Sequence, residues 1–323
     1  MNSSVCTLFE DTYHNGVAAL INSLCHQGYQ GVVYAGYRGV LPRWALKAQE
    51  NVSLQWPGSS ILEVTQEITV HFLPLNTSYH LTNYKPDFML KLWDGQAKEV
   101  EAIFYFDPDI VVSAPWTFFE EWVTYGVAVC EDINSPLSKW HPRRMAWRSY
   151  FGKKGLELQF KDAIYANGGF VGVSKTNYTF LTTWKTIQEL IAPKIGGLNR
   201  SALTGTPLPK DEQGPFAPFG KTDQDALNAT VEAWAGNVSF VGKDGMGFIQ
   251  GAPLIPHALG QPKPWKKKFI VSALKGKSPS LVDKAFWLHV KSPINNYNTF
   301  YIQMKRIAII VAVLIGRFYR QNS

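Results

Sequence analysis

Phe104-Tyr105-Phe106-Asp107-Pro108-Asp109-Ile110-Val111-Val112 sets how the whole chain reads. An aromatic and aliphatic run leads into two carboxylates one residue apart, and a second apolar run follows. An uninterrupted apolar run bounded by turn residues predicts a strand buried on both faces. Asp107 and Asp109 then stand where that strand ends, and open α/β sheets bind ligands beyond the carboxyl ends of their strands. Two carboxylates this close repel each other and are costly to desolvate unless a cation neutralises them. Hard divalent metals take oxygen ligands, and magnesium-type sites combine one or two carboxylates with substrate phosphates. A solvated turn punctuated by Pro108 explains a bare Asp-X-Asp as simply, so the flanking chain has to decide.

On the N-terminal side, Val5 to Phe9 predicts a short strand, and Gly16 to Gln27 a helix with Val17, Leu20, Ile21 and Leu24 on one face. Val32 to Tyr34 predicts a strand ending in the Gly-rich turn Ala35 to Gly39. Leu41 to Gln49 predicts a helix, Ile68 to Leu73 a strand, and Lys85 to about Gln96 a helix with Pro86 in its first turn. Beyond the acidic pair, Trp116 to Tyr125 predicts a helix and Val127 to Cys130 a strand followed by Glu131-Asp132. Ile133 to Ala163 breaks the pattern, and long irregular stretches of this kind shape binding sites. Regularity returns with Tyr165 to Val173 and the helix Tyr178 to Ile191. A Gly/Pro-rich surface loop then runs from Gly196 to Gly220. Lys221 to Asn228 starts a further helix, with Thr222 or Asp223 as N-cap. Strands alternating with helices predict an α/β fold with a mainly parallel, doubly wound sheet.

The 323 residues suffice for one large α/β domain or two smaller ones. With 46% hydrophobic and 18% charged residues, the chain can build a sizeable core and is not disordered. A net charge of +7 suggests an anionic partner: phosphate, nucleic acid or a membrane surface. No recognisable nucleic-acid motif accompanies it. Cys6, Cys25 and Cys130 are odd in number and lack metal-type spacing, so they are expected to be reduced, in an intracellular protein. Met1 to Ser4 runs straight into a strand, with no signal peptide expected. No Gly-X-Gly-X-X-Gly follows the first strand, which argues against a dehydrogenase. Glu10 to Asn15 is neither Gly-rich nor basic, which argues against a nucleotidyltransferase.

Other stretches carry chemistry only in combination. In Pro256 to Trp265, His257 offers an imidazole ligand, Gly260 permits close backbone approach, and Lys263 provides a point charge for phosphate. Taken alone, the stretch is a Pro-rich surface turn. Asp223-Gln224-Asp225 is an acidic cluster at a helix start, where N-capping is an ordinary use of Asp. Asn167-Gly168-Gly169 is either a plain turn or bare backbone that a ligand approaches.

The order of these blocks is specific. Thr7-Leu8 with Tyr13 shortly after is followed by Lys91 on a helix, Phe106-Asp107-Pro108-Asp109-Ile110 and Asn167-Gly168-Gly169. Asp223-Gln224-Asp225-Ala226-Leu227-Asn228 comes next, and His257-X-X-Gly260-X-X-Lys263-Pro264-Trp265 last. Over about residues 5 to 270 the chain resembles the retaining nucleotide-sugar glycosyltransferases of family eight, the glycogenin and lipopolysaccharide galactosyltransferase type. The resemblance implies a GT-A fold in a domain covering residues 1–270, followed by an extension over 271–323. It implies a UDP-sugar donor and manganese or magnesium held by Asp107, Asp109 and His257. Thr7, Leu8 and Tyr13 match the uridine-contacting opening, and Gly260 and Lys263 the diphosphate grip. Lys91, Asn167, Gly168, Asp223 and Gln224 match the surroundings of the donor sugar, with Gln224 beside the anomeric carbon. Three departures stand out: Ala258 replaces an aromatic, Pro108 stiffens the Asp-X-Asp, and the Glu10 to Thr12 loop is one residue short. A nucleotide-sugar hydrolase and an inactive nucleotide-sugar or glycan-binding module remain as alternatives.

The C-terminal stretch from Met304 to Arg320 holds a ten-residue uncharged run, Ile307 to Gly316, with basic and aromatic flanks. Roughly 20 residues are needed to span a bilayer. The run therefore predicts either an interfacial anchor, placing the enzyme on the cytoplasmic membrane face near a lipid-linked acceptor, or a terminal element docked on the core.

Overall fold

The computed structural model describes residues 1–203 and 205–318. In chain order the main elements are β1 (Ser3–Glu10), α1 (His14–His26), β2 (Gly31–Arg38), β3 (Gln49–Glu50), β4 (Ser60–Glu63), β5 (Ile68–Pro74), α2 (Lys85–Asp94) and β6 (Ala102–Phe106). They continue with α3 (Trp116–Trp122), β7 (Val127–Glu131), α4 (Pro142–Gly152), β8 (Ala166–Ser174), α5 (Thr179–Ile195), α6 (Asp223–Ala233) and β9 (Val238–Val241). The chain closes with α7 (Phe269–Leu274), α8 (Leu281–Leu288) and α9 (Thr299–Phe318). The fold is mixed α/β.

The chain forms two interleaved compact units. The first comprises Met1–Leu8, Leu75–Phe106 and Thr117–Lys243. Its strands lie in the order β1-β6-β8-β7-β9. β6 is parallel to β1 and β9 to β7, while β8 runs antiparallel to both its neighbours. All but one strand of this unit therefore share a direction. All five residues of β6 are buried, as its continuous apolar run requires. Phe106 and Trp122 pack on Phe170 of β8 with ring centroids 4.9 and 5.2 Å away. α5 packs beside α2 and α6 and ends at Gly196, whose φ of 81° is the left-handed C-terminal stop that favours glycine.

The second unit comprises Phe9–Pro74, Asp107–Trp116 and the chain from Asp244 on. Its strands lie in the order β3-β4-β5-β2, with β2 and β5 parallel and β4 antiparallel to both its neighbours. A core joins Ala19 of α1 and Val111 to Trp265, Phe269, Phe286, Trp287, Ile302, Ile309 and Ala312. The C-terminal helices are thus structural parts of this unit.

Several local expectations change. Leu41 to Gln49 is not a helix: Arg43–Ala45 makes a single 3-10 turn and Gln49–Glu50 pairs with β4. Pro42 supplies an extended φ, ψ entry, and too few residues follow it to nucleate an α-helix. β2 continues through Gly36 rather than turning there, because Ala35, Gly36 and Tyr37 pair with Phe72, Leu73 and Pro74. The Ile133 to Ala163 stretch contains α4, capped by the His141 side chain and started by Pro142. The apolar C-terminal run is the second half of a 20-residue helix. By length and composition α9 is apolar enough to cross a membrane. Tyr319 and Arg320, the last of its basic and aromatic flank, lie outside the described residues.

Candidate active site

Directly after β6 the chain enters the second unit at Asp107. Gly16 in the first turn of α1 lies against the Pro108 carbonyl so closely that a Cβ there would stand 1.8 Å from its oxygen. The helix is thus seated directly on the turn carrying both carboxylates. The following segment is stitched to the chain ahead of His257. Val111 N–H donates to Pro256 O at 3.2 Å, Ser113 N–H to Leu254 O at 2.7 Å, and Ala258 N–H to Asp109 O at 3.0 Å. Ile110 and His257 face each other in an isolated antiparallel bridge.

This backbone zipper brings together ligand atoms from Asp107, Asp109 and His257, all within 4.8 Å of one another. His257 Nε2 lies 3.2 Å from Asp109 Oδ1. Lys263 Nζ donates to Asp109 Oδ2, and to Ala258 O at 2.6 Å. Burial alone would raise the Asp109 carboxyl, but His257 and Lys263 outweigh it and hold the group well below the usual carboxylate range. Burial would likewise lower the Lys263 ammonium, and Asp109 holds it above its ordinary value.

Two carboxylates and one imidazole form a hard, oxygen-rich donor set suited to Mn²⁺ or Mg²⁺. His257 Nδ1 is buried with no hydrogen-bond partner among the described residues, so the ring carries an uncommitted nitrogen in this cluster. The residues fit a divalent cation.

Tyr13 and Gly260 flank the same cluster. The Tyr13 ring meets Trp265 edge-on at 5.5 Å, Lys263 Nζ lies 5.8 Å from the ring centroid, and Gln261 Nε2 donates to the phenol oxygen at 3.4 Å. Gly260 has φ of 67° with open space where a Cβ would be, which leaves its backbone approachable.

A second polar cluster lies in the first unit. Lys85 Nζ, buried in the first turn of α2, donates to Gly168 O at 2.7 Å and to Asp223 Oδ2 at 3.2 Å. Gly168 N–H donates to Gln224 Oε1 at 3.3 Å. Asn167 Nδ2 donates to Asp132 Oδ2 at 2.6 Å and its Oδ1 accepts from Gly169 N–H. Asn167, Gly168, Asp223 and Gln224 therefore come together as a group. Lys91 is exposed on α2, and Lys85 is the lysine beside Asp223. Sequence reasoning missed Lys85, and Asp132, by sequence half of a rival carboxylate pair with a loop or acceptor-side place, is the partner of Asn167. The signal for Lys85 was its place at the helix start, where Pro86 fixes the entry.

Thr222, immediately before Asp223, has φ of 43°, a costly conformation for a β-branched residue. Asp225 is fully buried, accepting from Tyr165 OH at 2.8 Å and Lys221 N–H at 2.7 Å. Burial pushes its carboxyl up to about 7 against the opposing pull of Arg143. Asp225 thus anchors the start of α6 and with it the two residues ahead of it. Thr7 and Leu8 are buried in β1, and Thr7 Oγ1 has no hydrogen-bond partner among the described residues.

The galactosyltransferase LgtC, determined with donor and acceptor sugar analogues, matches this fold. The match covers 94% of this chain and 99% of that one, at 14% identity and a TM-score of 0.51. The fold is that of a GT-A glycosyltransferase. The bifunctional glycosyltransferase WbbM matches over 94% of this chain at 12% identity and a TM-score of 0.50. The chain spans about half of WbbM, 51% of its length. No family model matches the sequence, and no curated protein matches it either. At these identities the likeness speaks for the GT-A fold, and the chemistry rests on the site.

Proposed function

We propose that the protein is a metal-dependent glycosyltransferase that moves a hexose from a UDP-sugar to a glycan or glycolipid acceptor with retention of configuration. The observation that carries this reading is the joining of Asp107, Asp109 and His257 by one backbone zipper, with Lys263 beside them, on a GT-A fold. Asp107, Asp109 and His257 would hold Mn²⁺ or Mg²⁺. Such a cation offsets the charge that develops on a departing diphosphate. Lys263 adds a second positive charge, the Gly260 backbone admits the diphosphate, and Tyr13 offers a ring to the uracil. Thr7 and Leu8 line the uridine side.

By the resemblance Asn167, Gly168, Asp223 and Gln224, which come together as a group, would surround the transferred sugar, and Lys85 would take the part expected of Lys91. An amide is a poor nucleophile, and the Gln224 carbonyl already accepts from Gly168 N–H. Asp223 shares its charge with Lys85, which blunts it as a covalent nucleophile. Both features favour attack by the acceptor hydroxyl on the face the diphosphate leaves. The bond from the anomeric carbon to the diphosphate oxygen breaks, the bond to the acceptor oxygen forms, and the proton passes to the diphosphate. Asp223 also stabilises positive charge developing at the anomeric carbon.

The test is release of UDP from a panel of UDP-sugars with manganese and with chelator. Turnover of one donor, stimulated by a glycan acceptor and lost on chelation, is the expected result. Turnover that no acceptor stimulates points to a nucleotide-sugar hydrolase. Absence of both turnover and donor binding points to the inactive glycan-binding module.

A peripheral position on the cytoplasmic membrane face belongs to the same proposal. α9 buries Ile302, Ile309, Ala312 and Gly316 but exposes Phe300, Ile307, Ile310, Leu314 and Phe318 at helical spacing. Its Lys305 Nζ donates at 3.0 Å to the carbonyl of Lys267, which the exposed Lys266 and Lys268 flank. An apolar stripe on a protein of net charge +7 suits an anionic lipid surface. The protein is expected to sediment with vesicles containing phosphatidylglycerol, and Ile310→Glu with Leu314→Glu to remain in solution. Equal sedimentation of the two proteins would remove the membrane from the proposal.

A further inference from the structure

Away from the carboxylate cluster, the second unit brings two imidazoles together. His26 is the last residue of α1 and His289 the C-cap of α8. Their Nδ1 atoms lie 2.9 Å apart, with ring centroids at 5.1 Å. Metal–nitrogen bonds of about 2.0–2.1 Å place cis ligands of a tetragonal ion roughly 2.9 Å apart, and those of a tetrahedral ion roughly 3.3 Å. The pair already stands at a ligating separation.

Three features make this more than a chance contact. Both imidazoles sit at helix C-termini, where unsatisfied carbonyls concentrate partial negative charge and a cation is favoured. The backbone beneath them is held by one side chain. Asn22 Nδ2 donates to His289 O at 2.7 Å and to Ile294 O at 2.9 Å, while its Oδ1 accepts from Ile294 N–H at 2.7 Å. Finally, His26 is exposed, so a small ion can reach the pair and solvent can complete its coordination.

Burial, with His26 adding to it, pushes His289 down to about 4, which leaves its ring neutral at physiological pH. The separation suits an N–H···N hydrogen bond when one ring carries a proton on Nδ1; in the tautomers with the proton on Nε2 of both rings, the two Nδ1 lone pairs are left without a proton between them. A metal ion set to one side of the line between the two nitrogens accepts both lone pairs at bonds of about 2.0–2.1 Å.

We propose that His26 and His289 form a second metal site, for a borderline ion of the Cu²⁺ or Zn²⁺ class, that clips α1 to the C-terminal helices. Imidazole nitrogen selects such ions over Mg²⁺ and Mn²⁺, which prefer the oxygen donors of Asp107 and Asp109. The described residues place no third histidine, cysteine or carboxylate ligand atom in a group with these two. The site is therefore a two-ligand clip open to solvent, and its ion has no part in sugar transfer.

The test is a Cu²⁺ titration of the full chain beside His26→Gln and His289→Gln, followed by electron paramagnetic resonance, with the His257 cluster counted as a separate equivalent common to all three proteins. Wild type is expected to take up one equivalent more than His26→Gln, the additional signal showing coupling to two imidazole nitrogens, and Zn²⁺ to raise its Tm. His26→Gln, at an exposed position, is expected to lose that equivalent and the Zn²⁺-dependent Tm gain, with its circular dichroism unchanged. His289→Gln, which keeps the C-cap backbone, should behave the same way. Retention of the signal in a folded His26→Gln protein would overturn the proposal, as would absence of saturable uptake by wild type. Sugar transfer is not a readout, so this result stands apart from the glycosyltransferase reading.

Discussion

Asp109→Ala is expected to abolish metal-stimulated release of UDP, and Asp109→Asn to lose nearly as much. The carboxylate is at once a member of the trio proposed to hold the metal and the partner of the Lys263 ammonium. A bound metal supplies several kcal/mol of charge stabilisation, so losing it corresponds to about a thousandfold in rate or more. Alanine also strands Lys263 in a buried place, and breaking a buried pair by removing one partner costs about 3–5 kcal/mol. The two effects separate with asparagine, whose amide oxygen still accepts from Lys263 but is a poor metal ligand. Initial rates at saturating manganese, read beside urea unfolding of all three proteins, provide the check. A folded Asp109→Ala enzyme within tenfold of wild type would sink the metal assignment.

Gly16→Ala is the second large effect, and it comes from a position with no polar atom to offer. The added methyl would stand 1.8 Å from Pro108 O, 2.8 Å from its carbonyl carbon and 3.1 Å from Trp265 Cζ3. Backbone cannot swing aside as a flexible side chain can. Either α1 backs away from the turn or the turn moves and carries Asp107 and Asp109 with it. Overpacking of this kind costs about 1–3 kcal/mol, and ångström-scale misplacement of catalytic groups costs about a hundredfold in rate. We expect a lower Tm and a higher manganese requirement together. Unchanged manganese dependence in a destabilised protein would show that the helix yields and the turn does not.

Much of this was legible in the sequence, for identifiable reasons. β6 and β7 declare themselves because strands buried on both faces need unbroken apolar runs. Asp107, Asp109, His257 and Lys263 could be singled out because hard-metal and phosphate chemistry would permit few residue types at their positions, and the structure brings the four together. What stayed hidden depends on orientation. Lys85 and Lys91 lie on the same helix, and nothing local tells which one turns inward to Asp223. The reversed direction of β8 is equally silent, since an apolar run reads alike both ways. α4 was hidden because its arginines look like a solvated face. In the structure Arg144 and Arg148 pair with Glu232, and Arg143 lies 3.5 Å from Asp225.

The core of the second unit has a consequence for how the protein comes into being. Ala19 and Val111 share their core with Trp265 and the helices that follow it. The ribosome therefore releases the residues on both sides of the acidic turn long before the side chains that bury them exist. His257 and Lys263 arrive almost as late. Until His257 and Lys263 emerge, Asp107 and Asp109 have neither the third member of their cluster nor a neutralising lysine, and until α7, α8 and α9 follow, Ala19 and Val111 lack the side chains of their core.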